Sequence, residues 1–354
     1  MVLAGGTGGH VYPALAAAQE LASRGWEIAW LGARDGFEAR VVPGYGFPID
    51  LVDVRKVRGE GIKAWLLAPV RLLRAMAEAA AVLRRRRPAV VLGMGGFVAG
   101  PGGLAARMLG LPLVIHEQNA ISGLTNRWLA RVATRVLQAF PDTFPASRRV
   151  DTVGNPVRAD IVALPRPEQR YAQRTGPGRL LVVGGSLGAQ ALNDRVPAAL
   201  AMLPPAERPA VRHQAGRGKA ETTEGAYRSA GVAAEVSEFL VDMAGAYGWA
   251  DLVVCRAGAL TVSELAAAGV AAVLVPYPFA VDDHQTRNAA FLAEAGAAVL
   301  LRQTELTPAG LGGILSDLLG DPAGMRRMAE AARRLARPDA ARRVADACEE
   351  AVGA

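Results

Sequence analysis

The stretch MVLAGGTGGHVYPALAAAQELASRG, residues 1–25, runs from a short apolar segment through a turn holding four glycines into an Ala- and Leu-rich run. A strand that breaks into a glycine turn and restarts as a helix aims backbone N–H groups and a helix N-terminus at one point, which is how an anion is bound without a cationic side chain. The same pattern returns at residues 179–200, RLLVVGGSLGAQALNDRVPAAL. The chain is therefore expected to carry two homologous halves, each opening on its own glycine turn.

The surroundings of each turn agree. After the first come WEIAWLG (26–32), a long helix within 61–86, AVVLGMGG (89–96), LPLVIHEQN (111–119) and TRVLQAF (134–140). That alternation calls for an α/β fold with a doubly wound parallel sheet and right-handed crossovers. It breaks at TVGNPVRADIVALPRPEQRYAQRTGPGR (152–179), whose Pro, Gly and Arg content marks the boundary between halves, and a second βα series follows. At 354 residues, two domains are the natural expectation. Ligands of such sheets bind beyond the carboxyl ends of the strands, so two facing halves would place a site in the cleft between them.

Several function classes are disfavoured at this stage. Neither GGTGGH nor GGSLGA fits GxGxxG, and neither half has an acid closing its second strand to hold a ribose 2′-OH; Asp35 lies too far along. Cys255 and Cys348 cannot make a disulfide framework, no Cys/His cluster has metal-ligand spacing and no D-x-D occurs, so no metal or cofactor is expected and a cytoplasmic setting fits. No secretory leader is read at the N-terminus, and the uncharged stretches at 88–106 and 265–281 are too rich in Gly and Pro, or too short, for spanning helices.

Charge is concentrated. Between Arg55 and Pro88 ten Lys/Arg face Glu60 and Glu78, a local charge of +8 in a chain of net +7, so the remainder sums to −1. Leu66, Val70, Leu73 and Met76 recur on one helical face within that segment. The stripe either packs on the sheet or, with its cationic frame, meets an anionic membrane surface. Nucleic acid is disfavoured as a partner, because aromatics make up only 5% of the chain and do not interleave with the basic run.

Other polar clusters follow strands, where a site edge would lie: HEQNAISG (116–123), CRAGALTVSELAAAG (255–269) and DDHQTRNAA (282–290). In the second, Glu264 reads either as the partner of Thr261 in a capping box or as an acceptor for two vicinal hydroxyls. In the third, Asp282 or Asp283 reads as a helix N-cap.

Taken together, GGTGGHVYPALA, GMGGFVAGP, HEQNAISGLTNRWLA, VGNPVR, GGSLGAQALN, CRAGALTVSELAAAG and DDHQTRNA resemble the MurG family of bacterial glycosyltransferases, in order and over nearly the whole chain. The resemblance implies a GT-B fold with an N-terminal acceptor domain (1–156), a C-terminal donor domain (157–337) and a final helix at about 338–354 that crosses back. It implies inverting transfer of GlcNAc from UDP-GlcNAc to the 4-hydroxyl of MurNAc in undecaprenyl-diphospho-MurNAc-pentapeptide (lipid I), without a metal, on the cytoplasmic face of the membrane. Carried over by position, Thr7, Gly8, Gly9 and Asn119 would face the transferred sugar, and Arg158 and Ser186 the diphosphate. Leu240 would hold uracil through its backbone. Ala259, Leu260, Thr261, Val262, Ser263 and Glu264 would hold the nucleoside, with Glu264 on the ribose, and Gln285 would read the GlcNAc hydroxyls. His10 and Glu117 compete as general base. A UDP-GlcNAc 2-epimerase or hydrolase of related fold, and a non-catalytic UDP-sugar-binding subunit, are the alternatives.

Overall fold

A computed structural model describes residues 1–54, 62–147, 149–172, 174, 176–185 and 187–353, with the side chains of 62–68 and of Val281 outside that description. The chain divides into two compact units, Met1–Arg158 with Arg337–Ala354, and Ala159–Ala336. In the first, β1 (Val2–Leu3), α1 (Gly8–Ser23), β2 (Trp30–Ala33), α2 (Phe37–Val41), β3 (Ile49–Val52), α3 (Ile62–Arg86), β4 (Val91–Gly93), α4 (Ala99–Met108), β5 (Leu113–Glu117), α5 (Leu124–Leu129), β6 (Arg135–Gln138) and β7 (Val150–Thr152) build a seven-stranded sheet. Its order is β3-β2-β1-β4-β5-β6-β7, parallel throughout.

The second unit begins with α6 (Ala159–Val162) and α7 (Pro167–Ala172). It continues through β8 (Arg179–Val183), α8 (Gln190–Ala201), β9 (Ala210–Gln214), α9 (Ala220–Ser229), β10 (Glu235–Ser237), α10 (Met243–Trp249), β11 (Leu252–Cys255), α11 (Ala259–Ala268), β12 (Ala271–Leu274), α12 (His284–Ala293), β13 (Ala298–Leu300), α13 (Pro308–Gly320) and α14 (Pro322–Leu335). Its sheet order, β10-β9-β8-β11-β12-β13, is again parallel. Strands covered on both faces are largely apolar, and LVVC of β11 and AAVL of β12 are wholly buried, while β5 is buried throughout but ends in His116 and Glu117. In both sheets the chain order reverses beside the strand that feeds the glycine turn, between β1 and β4 and between β8 and β11. These are the switch points at which ligands of such folds sit.

The Pro- and Arg-rich segment read as a boundary is in part built into the second unit. Arg170 of α7 donates to the carbonyls of Tyr247 (3.1 Å), Ala268 (2.8 Å) and Gly269, and the Tyr171 hydroxyl donates to Asp251 O at 2.7 Å. A guanidinium spends its donors on helix-end carbonyls that lack partners within the helix, so a composition that looks like a linker folds onto the core.

The last helix, α15 (Ala340–Val352), belongs to the first unit. Val344, Cys348 and Ala351 recur at helical spacing and enter the core with Val2 and Leu15. On its flank Arg24 donates to Asp346 at 2.7 Å and Glu349 at 2.8 Å, and Trp26 Nε1 donates to Glu349 at 3.1 Å. Gly154, at φ +86°, lies against Arg337 where the chain returns, leaving no room for a Cβ. Gly154→Ala combines a left-handed backbone with a backbone-proximal clash, so it should lower the unfolding free energy by about 2–4 kcal/mol in denaturant titration. Native-like stability would show that the return of the chain at Arg337 tolerates displacement.

Candidate functional site

In the first unit the carboxyl ends of β1, β4 and β5 are knitted into one surface. The turn after β4 lies directly on the turn after β1. Gly96 (φ +83°) abuts the Gly5 backbone, and a Cβ on Gly95 (φ +92°) would sit 2.6 Å from the His10 ring. From β5, the Gln118 side chain donates to Met94 O at 2.7 Å. Thr7 is the N-cap of α1 but makes no side-chain cap; its hydroxyl is 3.4 Å from His10 Nδ1. Thr7 and Gly9 are exposed, and Gly8 and His10 half-buried, so the opening of α1 is accessible from solvent.

Glu117, the rival candidate for proton abstraction, is buried and engaged on both oxygens. Oε1 accepts from the Asn119 backbone (3.0 Å) and side chain (3.2 Å), and Oε2 from Gly123 N (3.1 Å) and Asn126 Nδ2 (2.9 Å). A carboxylate receiving four N–H groups shapes the loop around Asn119 and has no lone pair directed at a ligand. His116 is fully buried with Nε2 2.9 Å from Gly154 O, and burial lowers its pKa to about 4. It stays neutral and ties β5 to the turn after β7.

In the second unit, Gly188 (φ +70°) abuts Ala215 O and Gly216 abuts Gly188, so the β8 and β9 turns touch through bare backbone. A buried chain of polar groups lies behind them. His213 is 2.9 Å from the Tyr227 hydroxyl and 3.0 Å from Asn193 Oδ1, and Asn193 donates to Ala215 O at 3.0 Å. Ser186 lies outside the described residues. α11 opens at Ala259 with Gly258 as N-cap and no side-chain cap, so the capping-box reading of Thr261 fails: Thr261 already stands inside the helix. Glu264, in the second turn and buried, receives the Tyr247 hydroxyl on Oε2 at 3.1 Å.

The remaining predicted residues are spread over both units. Arg158 closes the first, its guanidinium 5.9 Å from the Tyr12 ring centroid. Leu240 follows β10 and is half-buried. The Gln285 side-chain oxygen accepts from Tyr277 N at 2.9 Å. Asp283, the N-cap of α12, receives the Thr286 hydroxyl at 2.7 Å instead of making a backbone cap, which corrects the simple capping reading. On α3, Ala75, Ala79, Val82 and Leu83 face the core, while Val70 and Leu73 are 64% and 66% exposed. Leu72 joins the exposed stripe, Met76 stands half-buried on its shoulder, and the Leu66 side chain lies outside the described residues. Sequence reading missed the supporting roles of Glu38, Asn193 and Tyr247: Asn193 closes the GGSLGAQALN motif, and Glu38 and Tyr247 stand in none of the motifs read from the sequence.

Comparison with known proteins matches residues 1–138 to the glycosyltransferase family 28 N-terminal domain and 179–344 to the family's C-terminal domain. A protein of Aeromonas hydrophila called UDP-N-acetylglucosamine–N-acetylmuramyl-(pentapeptide) pyrophosphoryl-undecaprenol N-acetylglucosamine transferase is 58% identical over 99% of this chain and 96% of its own length. One of Marinobacter nauticus with the same name is 56% identical, over 99% and 97%. The crystal structure of Acinetobacter baumannii MurG aligns with TM-score 0.85 and 44% identity, covering 99% of each chain. The fold class read from sequence, two Rossmann-like halves of GT-B type, is thereby shown.

The buried His213 makes a pH prediction. Desolvation pushes its pKa down from 6.5 to about 3, so the unfolded chain binds a proton that the folded unit does not. Its contribution is complete above pH 6.5 and declines as the pH falls from there toward 3. Urea midpoints of the unit carrying it should therefore drop on acidification below pH 6.5, and His213→Gln should reduce that dependence by about one proton. An unchanged slope would show that His213 does not govern the acid transition.

Proposed function

This chain belongs to glycosyltransferase family 28, and on that premise we propose that it transfers GlcNAc from UDP-GlcNAc to the 4-hydroxyl of MurNAc in lipid I, with inversion, forming lipid II for peptidoglycan synthesis. The observation that carries this reading is the 58% identity, over essentially the full length of both chains, to a transferase named for that donor and acceptor.

The donor belongs to the second unit. The β8 turn and the N-terminus of α8 take the diphosphate with Ser186, the helix dipole meeting the charge that develops on the leaving UDP, and Arg158, the residue that closes the first unit, is the cation assigned to it. Glu264 accepts both ribose hydroxyls, with Tyr247 holding its carboxylate in one orientation; the Ala259–Glu264 turns seat the nucleoside and the Leu240 backbone the uracil. Gln285 reads the GlcNAc hydroxyls. In the first unit, Thr7, Gly8, Gly9 and Asn119 face the transferred sugar. Glu117 acts as the positioning residue of Asn119, which leaves His10 as the base. The acceptor oxygen bonds to C1 as the C1–O bond to UDP breaks; the electron pair leaves on the β-phosphate oxygen and the proton passes to the His10 imidazole.

The lipid acceptor sets the location. Among the described residues no helix is long and apolar enough to cross a membrane. We place the protein peripherally on the cytoplasmic face, with Val70, Leu72 and Leu73 entering the lipid interface and the arginines of α3 meeting anionic headgroups.

Radiolabelled UDP-GlcNAc incubated with and without a lipid I analogue tests the assignment, since label must move to lipid only when the acceptor is present. His10→Ala should reduce turnover by about 10²- to 10⁴-fold with UDP affinity preserved, whereas Glu264→Ala should weaken UDP binding by about 1.5–3 kcal/mol in calorimetry. Retained turnover in the first variant would remove His10 from the chemistry, and retained affinity in the second would remove Glu264 from the ribose.

Vesicle sedimentation examines the surface contact. Binding should be stronger to anionic than to neutral vesicles and weaken in Leu73→Ser; equal binding to both at low salt would contradict it.

A further inference from the structure

Glu38 is a fully buried carboxylate that the mechanism above does not use. It lies in the first turn of α2, and its oxygens accept two backbone N–H groups from different segments, Gly6 N on Oε2 at 2.9 Å and Ala33 N on Oε1 at 2.7 Å. Three glycines make room for it. A Cβ on Gly5 or Gly36 would run into the carboxyl group, and one on Gly32 would sit 2.7 Å from Glu38 Cγ. The cavity is thus shaped for one acidic side chain beneath the first glycine turn.

We propose that Glu38 is the positioning residue of that turn, acting on the transfer through Gly6 without touching substrate. Gly6 stands at φ +92° with open space where a Cβ would be; the Gly5–Gly6 peptide is bounded on its carbonyl side by Gly96 and fixed on its N–H side by the bond to Glu38. The next residue, Thr7, is the N-cap of α1, and His10 lies in its first turn. A tilt of the Gly5–Gly6 peptide therefore moves the start of α1 and the imidazole with it, and displacement near 1 Å in a reacting group is worth about 100-fold in rate. The requirement is for two acceptors at two fixed points. Gln supplies one acceptor and sets an NH₂ group against a backbone N–H, and Asp is too short to span both.

This inference rests on the transferase reading, and the test separates the two. Glu38→Gln should lower kcat for GlcNAc transfer to a lipid I analogue by about 10- to 100-fold, and leave the Kd for UDP, whose site lies in the other unit, within twofold. Glu38→Asp should behave like Glu38→Gln. Native kcat in either variant, or parallel loss of kcat, UDP affinity and melting temperature, would overturn the proposal. Should neither variant fold, amide hydrogen exchange of the native protein decides: Gly6 should exchange far more slowly than Thr7, and equal rates would overturn it. Absence of transfer by the native protein would refute the transferase reading alone, leaving the Gly6 exchange result standing.

Discussion

The contact of backbone with backbone at the ends of parallel strands is what both units depend on. Gly96 lies on Gly5 at the β1/β4 switch point of one, and Gly188 on Gly216 between the β8 and β9 turns, beside the β8/β11 switch point, in the other. At a topological switch point two neighbouring strands send their chains to opposite faces, so a gap opens at the sheet edge where helix N-termini converge. Any side chain at these positions would wedge the turns apart and fill the gap. Glycine supplies both the left-handed φ values and the missing volume, and the ligand-facing N–H groups follow from that geometry.

Beneath those turns lies a layer of buried polar groups whose work is support. Glu38, Glu117 and His116 in the first unit, and Asn193, His213 and Tyr247 in the second, hydrogen-bond to backbone groups or to neighbouring side chains. Buried polar atoms cost stability unless paired, so such networks hold one arrangement of the loops they touch. At the opening of α1 the surface is more accessible: Thr7 and Gly9 are exposed, His10 half-buried. A rigid shell under an accessible surface allows weak, oriented contacts to discriminate small changes in charge and position during a reaction.

The basic helix shows another division of labour. One stripe of α3 carries small and branched residues into the core, while Val70, Leu72 and Leu73 point outward among arginines. Apolar side chains this exposed are the part of α3 that packing within the unit does not account for.

The fold was legible in the sequence because it rests on local signals: two glycine turns each followed by an apolar helical run, and short strands whose central positions are mostly apolar. Periodicity and backbone sterics act over a few residues and can be read from them directly. The helix openings that follow strands, where the candidates His10 and Glu264 stand, were legible for the same reason. What each does was not. Glu117 and His10 look alike on paper, each a titratable residue beyond a strand, and only the tertiary structure shows that four N–H groups from three residues consume the Glu117 oxygens. Thr261 and Glu264 have capping-box spacing, yet the helix opens at Ala259 with Gly258 as its N-cap, three residues before the position that the spacing marks. Glu38 carried no signal at all. Its role exists only where Gly5 and Gly6, in the turn after β1, come together with Gly32 and Ala33 at the end of β2, and hydrogen bonds between such segments depend on distances that linear sequence does not contain.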